Sequence, residues 1–256
     1  MKTLKLLVLG ITFCFVPTLN AQTAEEIIEI YIENIGGQKA WSNIESMKVT
    51  GVGRQQDVDY PFVATYMKDG RRIVDVNLQG NSFIFDAFDG ESAWAMNFNT
   101  QNAEALDAET SLNTKNSAND YLPDAFMNYK EKGYKVELLG KEAFEGTECF
   151  KIKLTKIPVL VDGIEEENIE TYYFDTENYV PIAMESIIKY GQGKGATMQM
   201  LLSDYQEVDG LYISFSQIQK FNGQIGLELT TKTIEFNTEV DNNIFKIPEE
   251  IETNKN

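Results

Sequence analysis

The side chains that could do covalent or acid–base chemistry in this 256-residue chain point first to carboxylates. There are 40 Asp and Glu residues, no histidine, and two cysteines, Cys14 and Cys149. Without histidine there is no Ser-His-Asp or Cys-His nucleophile pair and no His-ligated zinc or iron. Cys149 stands in TECFKIKLT, alternating with charged neighbours as a half-buried strand residue does, and a lone cysteine in the mature chain makes neither a disulfide nor a metal cluster. What remains is carboxylate acid–base work or a hard cation held by carboxylates. Glu165-Glu166-Glu167 beside Asp162-Gly163 reads as a solvated loop, and no spacing holds two acids in a defined geometry. No catalytic residue, metal or cofactor is expected.

Apolar binding is the chemistry the chain is equipped for. Met67, Met96, Met127, Met184, Met198 and Met200 are scattered along segments of alternating character, and thioethers suit a surface that accepts varied acyl shapes. Phe83, Phe85 and Ala87 alternate with Ile84, Asp86 and Phe88, so that segment is apolar on both sides near its centre. Trp94 with Met96, Tyr172 to Phe174, and Met198 to Leu202 repeat the pattern. An antiparallel sheet ordinarily shows one apolar face. A sheet apolar on both, with few helices to cover it, predicts a concave face left partly unfilled and a cavity that takes apolar ligands.

The elements that must position these residues are legible. Residues 1–21, MKTLKLLVLGITFCFVPTLNA, combine a basic start, an apolar run and a small residue at a cleavage point, which predicts a secretory signal peptide. The exported chain is then expected to begin near Gln22 as one domain over residues 22–256, free of a lipid anchor because Phe13 precedes Cys14. A Thr23-x-x-Glu26 capping box opens a helix whose stripe is Ile27, Ile28, Tyr31, Ile32 and Ile35, and Gly36-Gly37 ends it. QKAWSNI predicts a short second helix. Period-two segments follow from Ser46 to Phe98 and from Lys135 to Thr238, about twelve strands punctuated by Asp-Gly and Asn-Gly turns. Between them Thr100–Gly133 breaks the rhythm. There YLPDAFMNYKEKG predicts a helix with Tyr121, Leu122, Ala125, Phe126 and Tyr129 on one face, laid across the sheet. The fold class is thus mainly β with α: a curved antiparallel sheet covered by an N-terminal helix and a helical insert.

The formal charge is −18. Such acidity argues against nucleic acid and against docking on anionic lipid headgroups, and it suits an exported soluble protein.

The order of these pieces resembles a known family. IENIGGQKAWSNIESMKVTG, YKEKGYKVELLGKEAFEGTECFKIKLT, YYFDTENYVPIAMES, SDYQEVDGLYISFS and NTEVDNNIFKIPEE together resemble the outer-membrane lipoprotein-sorting proteins, the LolA-like periplasmic carriers in their longer form. That resemblance implies an unclosed half-barrel whose helices form a lid over a hydrophobic cavity for acyl chains, in a periplasmic monomer. It also implies an arginine near the third strand that holds the lid through hydrogen bonds to backbone, and Arg71 and Arg72 occupy a similar stretch.

The expected cavity lining is Phe62, Tyr66, Phe83, Phe85, Trp94, Met96, Tyr173, Met184, Met198 and Met200. The expected lid is Ile28, Tyr31, Ile32 and Phe126 with the two arginines. Two functions fit: a non-enzymatic carrier of acylated lipoprotein or another hydrophobic ligand, or an envelope interaction module whose core is filled by its own side chains and whose partner is a protein.

Overall fold

A computed structural model describes residues 22–191 and 193–248. The expected signal peptide and the last residues of the closing motif lie outside the described residues. Helix α1 (Ala24–Asn34) is capped as its sequence requires: the Thr23 hydroxyl accepts from the Glu26 N–H while the Glu26 carboxylate accepts from the Thr23 N–H. Helix α2 (Gln38–Trp41) follows at once, and the Trp41 indole donates to the Ile35 carbonyl at 3.0 Å, tying the two together.

Strands β1 (Ser46–Gln55), β2 (Val58–Met67), β3 (Arg72–Leu78), β4 (Asn81–Phe88), β5 (Ala93–Met96) and β6 (Ala103–Ala105) form one antiparallel meander. Helix α3 (Ala108–Asn116) comes next, capped by Asp107, which accepts from the Thr110 N–H at 2.7 Å. Strands β7 (Lys135–Phe144) and β8 (Thr147–Thr155) precede a small ribbon, β9 (Val159–Val161) with β10 (Ile164–Glu166). The chain then runs through β11 (Ile169–Asp175), β12 (Pro181–Ile187), β13 (Thr197–Val208), β14 (Leu211–Phe221) and β15 (Gln224–Phe236). Paired positive-φ residues at Asp209-Gly210 and Asn222-Gly223 make the tight turns that their sequences announce.

Among the described residues thirteen strands join in one sheet, in the order β6-β5-β4-β3-β2-β1-β15-β14-β13-β12-β11-β8-β7. The two meanders are united by the first strand pairing with the last, Val49 facing Ile234. The edges β6 and β7 do not pair with each other, so the sheet bends without closing, and the residues between them in sequence cross the open side.

One glycine is required by close packing in the sheet. A Cβ on Gly51 in β1 would stand 2.5 Å from the Thr230 carbonyl and 2.6 Å from the Phe62 ring. The bare backbone therefore lets the phenyl group approach β1 closely.

The insert differs from its expected form. Residues 125–133 make successive turns rather than a helix, and the regular helix lies earlier, at α3. Local polar groups outcompete helical bonding there. Asp124 Oδ1 accepts from the Phe126 N–H at 2.8 Å, and Lys132 Nζ donates to the carbonyls of Asn119, Asp124 and Ala125. The β9–β10 ribbon braces α3 instead, with the Asn113 amide exchanging two 2.8 Å bonds with the Leu160 backbone.

The largest core lies between α1, the insert and the β7–β8–β11 side of the sheet. Ile27, Ile28, Ile35, Phe126, Ile152, Leu154 and Phe174 are fully buried in it.

Candidate functional site

Residues opposite one another on neighbouring strands point to the same face, so the concave surface can be followed by register. Met184 faces Met200, which faces Gln219; Leu202 faces Gln217, which faces Leu229; and Leu229 faces Gly53. Across the β1 seam Met47 faces Tyr66, and Val49 stands between Ile234 and Ala64. These rows enclose a cavity of about 790 Å³ that the chain's own side chains leave open. That volume falls within the roughly 300–1,000 Å³ of small-molecule sites.

Its walls are of two kinds. Met47, Val49, Phe62, Met184, Met198, Met200, Leu202 and Ile213 make an apolar trough. At the other pole lie Asn113, Asn116, Asp120, Asp124, Lys156, Asn168 and Glu170, and eight of the twelve tyrosines are distributed around the lining. The charged groups at this pole are matched. Lys156 Nζ lies 2.7 Å from Asp120 and 3.0 Å from Glu170, and Lys132 Nζ lies 2.9 Å from Asp120. The Tyr134 hydroxyl donates to Asp120 at 3.1 Å, and the Tyr172 hydroxyl to Glu170 at 2.8 Å. Burial pulls the Lys156 ammonium down, but Glu170 and Asp120 more than offset it and hold it above the usual lysine range. This network ties the insert to the ends of β8 and β11.

Asp124 sits against α1, accepting from the Tyr31 hydroxyl and the Phe126 N–H. Burial pushes its carboxyl above the ordinary carboxylate range despite those two donors. A carboxyl raised on folding contributes most below its unfolded value, and the contribution is lost as pH rises through the folded value. The stability of wild type relative to Asp124→Asn is therefore expected to fall as pH rises from about 4 towards neutrality. Urea denaturation of both proteins across that interval checks it. A difference that stays flat with pH would show that burial of Asp124 is not what the titration reports.

The structure brings Phe62, Tyr66, Met184, Met198 and Met200 together on the cavity wall, with Tyr31 from α1. It places the other expected residues elsewhere. Phe85 is the extra residue of a β-bulge, since Asp75 pairs with Ile84 and Val74 with Asp86, and it is 68% exposed. The bulge shifts the alternation, so Phe83 and Ala87 no longer share a face. Phe83 packs edge-on against Phe98 outside the cavity lining. Trp94 is buried on the convex side, donating to the Phe245 carbonyl at 2.7 Å, and the Met96 sulfur accepts from the Ile84 N–H. Tyr173 packs with Cys149, Ala183 and Phe144, and its neighbour Tyr172 faces Met184 in the cavity.

Ile28 and Phe126 are fully buried in the main core, with Ile32 packed against it, so these three support the wall from behind. Arg71 binds Asp69 and Asn242 and lies over the Phe245 ring, holding the C-terminal segment. Arg72 is only 6% exposed. It pairs with Asp86 at 2.5 Å, stacks 4.7 Å over the Tyr121 ring of the insert and leaves Nη1 without an acceptor. Tyr121 stacks in turn on Tyr66 at 5.6 Å. Arg72 thus touches the insert through an aromatic face rather than through backbone carbonyls.

Sequence reasoning missed Tyr172, Met47, Val49 and the Asp120–Lys156–Glu170 network. Period two offered Tyr172 as readily as Tyr173. Nothing local marks Lys156 and Glu170 as partners of Asp120.

No helix among the described residues is long and apolar enough to cross a membrane. No protein-family model and no curated protein matches the chain. Solved structures do. A LolA superfamily protein from Nitrosomonas europaea superposes with a TM-score of 0.55 at 15% identity, over 88% of this chain and 98% of its own. A domain provisionally assigned to outer membrane lipoprotein sorting, from Vibrio parahaemolyticus, gives 0.54 at 13% over 85% and 97%. A DUF1329 family protein from Desulfovibrio piger gives 0.55 at 10% over 87% and 96%. The chain therefore has the LolA-like fold, an antiparallel sheet bent around a cavity and left open at its edges.

Proposed function

We propose that this protein is a non-enzymatic carrier or binding protein for acyl-bearing ligands, with acylated lipoprotein bound for the outer membrane as its cargo. It works in the periplasm as a monomer of one domain, residues 22–256, after removal of residues 1–21. The observation that carries the reading is the open cavity of about 790 Å³, one wall of which is a trough of methionine and aliphatic side chains. Each buried CH₂ contributes about 0.8 kcal/mol, so ten of them supply ~8 kcal/mol, the scale of a micromolar complex before ordering costs. No reacting group is needed for that. The cavity also favours this reading over a module with a self-filled core.

Mass spectrometry of organic extracts from the mature protein, purified without detergent, tests it. Acyl species at near-stoichiometric amounts are expected. Extracts free of acyl chains, from a protein that also ignores a fluorescent twelve-carbon acyl probe, would reject the reading in favour of a module that binds another envelope protein.

A further inference from the structure

The polar pole of the cavity carries information about the ligand's head. Of its lining groups, three are carboxyls (Asp120, Asp124, Glu170) and two are ammonium groups (Lys156, Lys189). Every cation in reach already holds a carboxylate: Lys156 holds Asp120 and Glu170, Lys132 shares Asp120, Lys189 lies 3.4 Å from Glu166, and Arg72 holds Asp86. The triad Asp120–Lys156–Glu170 is almost closed to solvent, at 7%, 9% and 15% side-chain exposure. A buried anion needs an unmatched positive charge or several hydrogen-bond donors converging on it. No surplus positive charge is present here, and an anionic head would bring a further negative charge beside two carboxylates. Uncharged heads meet no such opposition, and the Asn116 amide and the Tyr66, Tyr121 and Tyr190 hydroxyls, which line the cavity, suit esters, amides and alcohols.

We infer that the cavity selects amphiphiles with an uncharged polar head and excludes those with an anionic one, the Asp120–Lys156–Glu170 network being the filter. This rests on the acyl-binding reading and specifies its ligand class. Ester- or amide-linked acyl groups are admitted, while free fatty acids and acidic phospholipids are refused although their chains are the same. Arg72 keeps Nη1 without an acceptor but does not reverse the balance, because it lies outside the cavity lining, Asp86 neutralises it and the Tyr121 ring covers its face.

The test compares two ligands with one twelve-carbon chain, monolauroylglycerol and laurate, as competitors of the uncharged probe N-phenylnaphthylamine on delipidated mature protein near pH 8. Laurate is expected to bind at least about tenfold more weakly. The ratio should persist at about 0.5 M salt, because a buried network is little screened whereas the overall negative charge of the protein is. Glu170→Gln, which releases part of the Lys156 charge, should narrow the ratio to about threefold. Laurate within about threefold of monolauroylglycerol on the wild type, or a ratio that vanishes in salt, overturns the filter while leaving acyl binding intact. If neither ligand displaces the probe, acyl binding itself fails and the filter falls with it. The wild-type and salt measurements decide the matter even if the variant does not fold.

Discussion

Met200→Asp is expected to weaken binding of a twelve-carbon acyl probe by roughly a hundredfold or more, because a carboxylate would have to be buried against hydrocarbon. Met200 lies mid-trough, facing Met184 on one side and Gln219 on the other. It points into the cavity rather than into the packed core, so the variant should keep its fold and melt close to wild type. Phe85→Asp is the matched control. It adds the same charge at a solvent-exposed bulge and should leave binding unchanged. Probe titration alongside a thermal melt reads both. Met200→Asp binding within about threefold of wild type would mean that acyl chains do not occupy this trough.

Phe126→Ala should act in the opposite way, striking stability first. Phe126 is fully buried in the insert and meets Tyr31, Tyr172 and Phe174 at ring-centroid distances of 6.2, 4.7 and 5.3 Å. Removing a buried phenyl group typically costs about 3–5 kcal/mol. In a chain of this size that lowers the melting temperature by roughly 6–20 °C. The spread depends on how far Tyr31 and Tyr172 collapse into the space, and since both line the cavity, probe affinity should fall too, though less than in Met200→Asp. A melt within about 2 °C of wild type would show that the insert is not anchored through this cluster.

The two variants separate roles that the sequence alone merges. Phe126 and Met200 both read as apolar residues near a sheet, yet one fastens the insert to the core and the other faces open space. The difference lies in what stands opposite. Phe126 meets rings from α1 and β11, whereas Met200 lines the cavity.

What the sequence determined by itself is the local layer. The capping box of α1, the Asp-Gly and Asn-Gly turns and the long strands follow from neighbouring residues, whose propensities and turn chemistry act over a few positions. It also implied an open sheet with an apolar hollow. Tertiary structure decided which side chains face that hollow. The alternation of a strand inverts at every bulge, so the extra residue at Phe85 redirects the face of β4, and Tyr172 rather than Tyr173 is chosen by its partner Met184. The pairing of β1 with β15 and the joining of Asp120 to Lys156 and Glu170 depend on chain segments far apart in sequence. Such contacts form only once the sheet has bent, and the charge balance at the polar pole is a property of that bend.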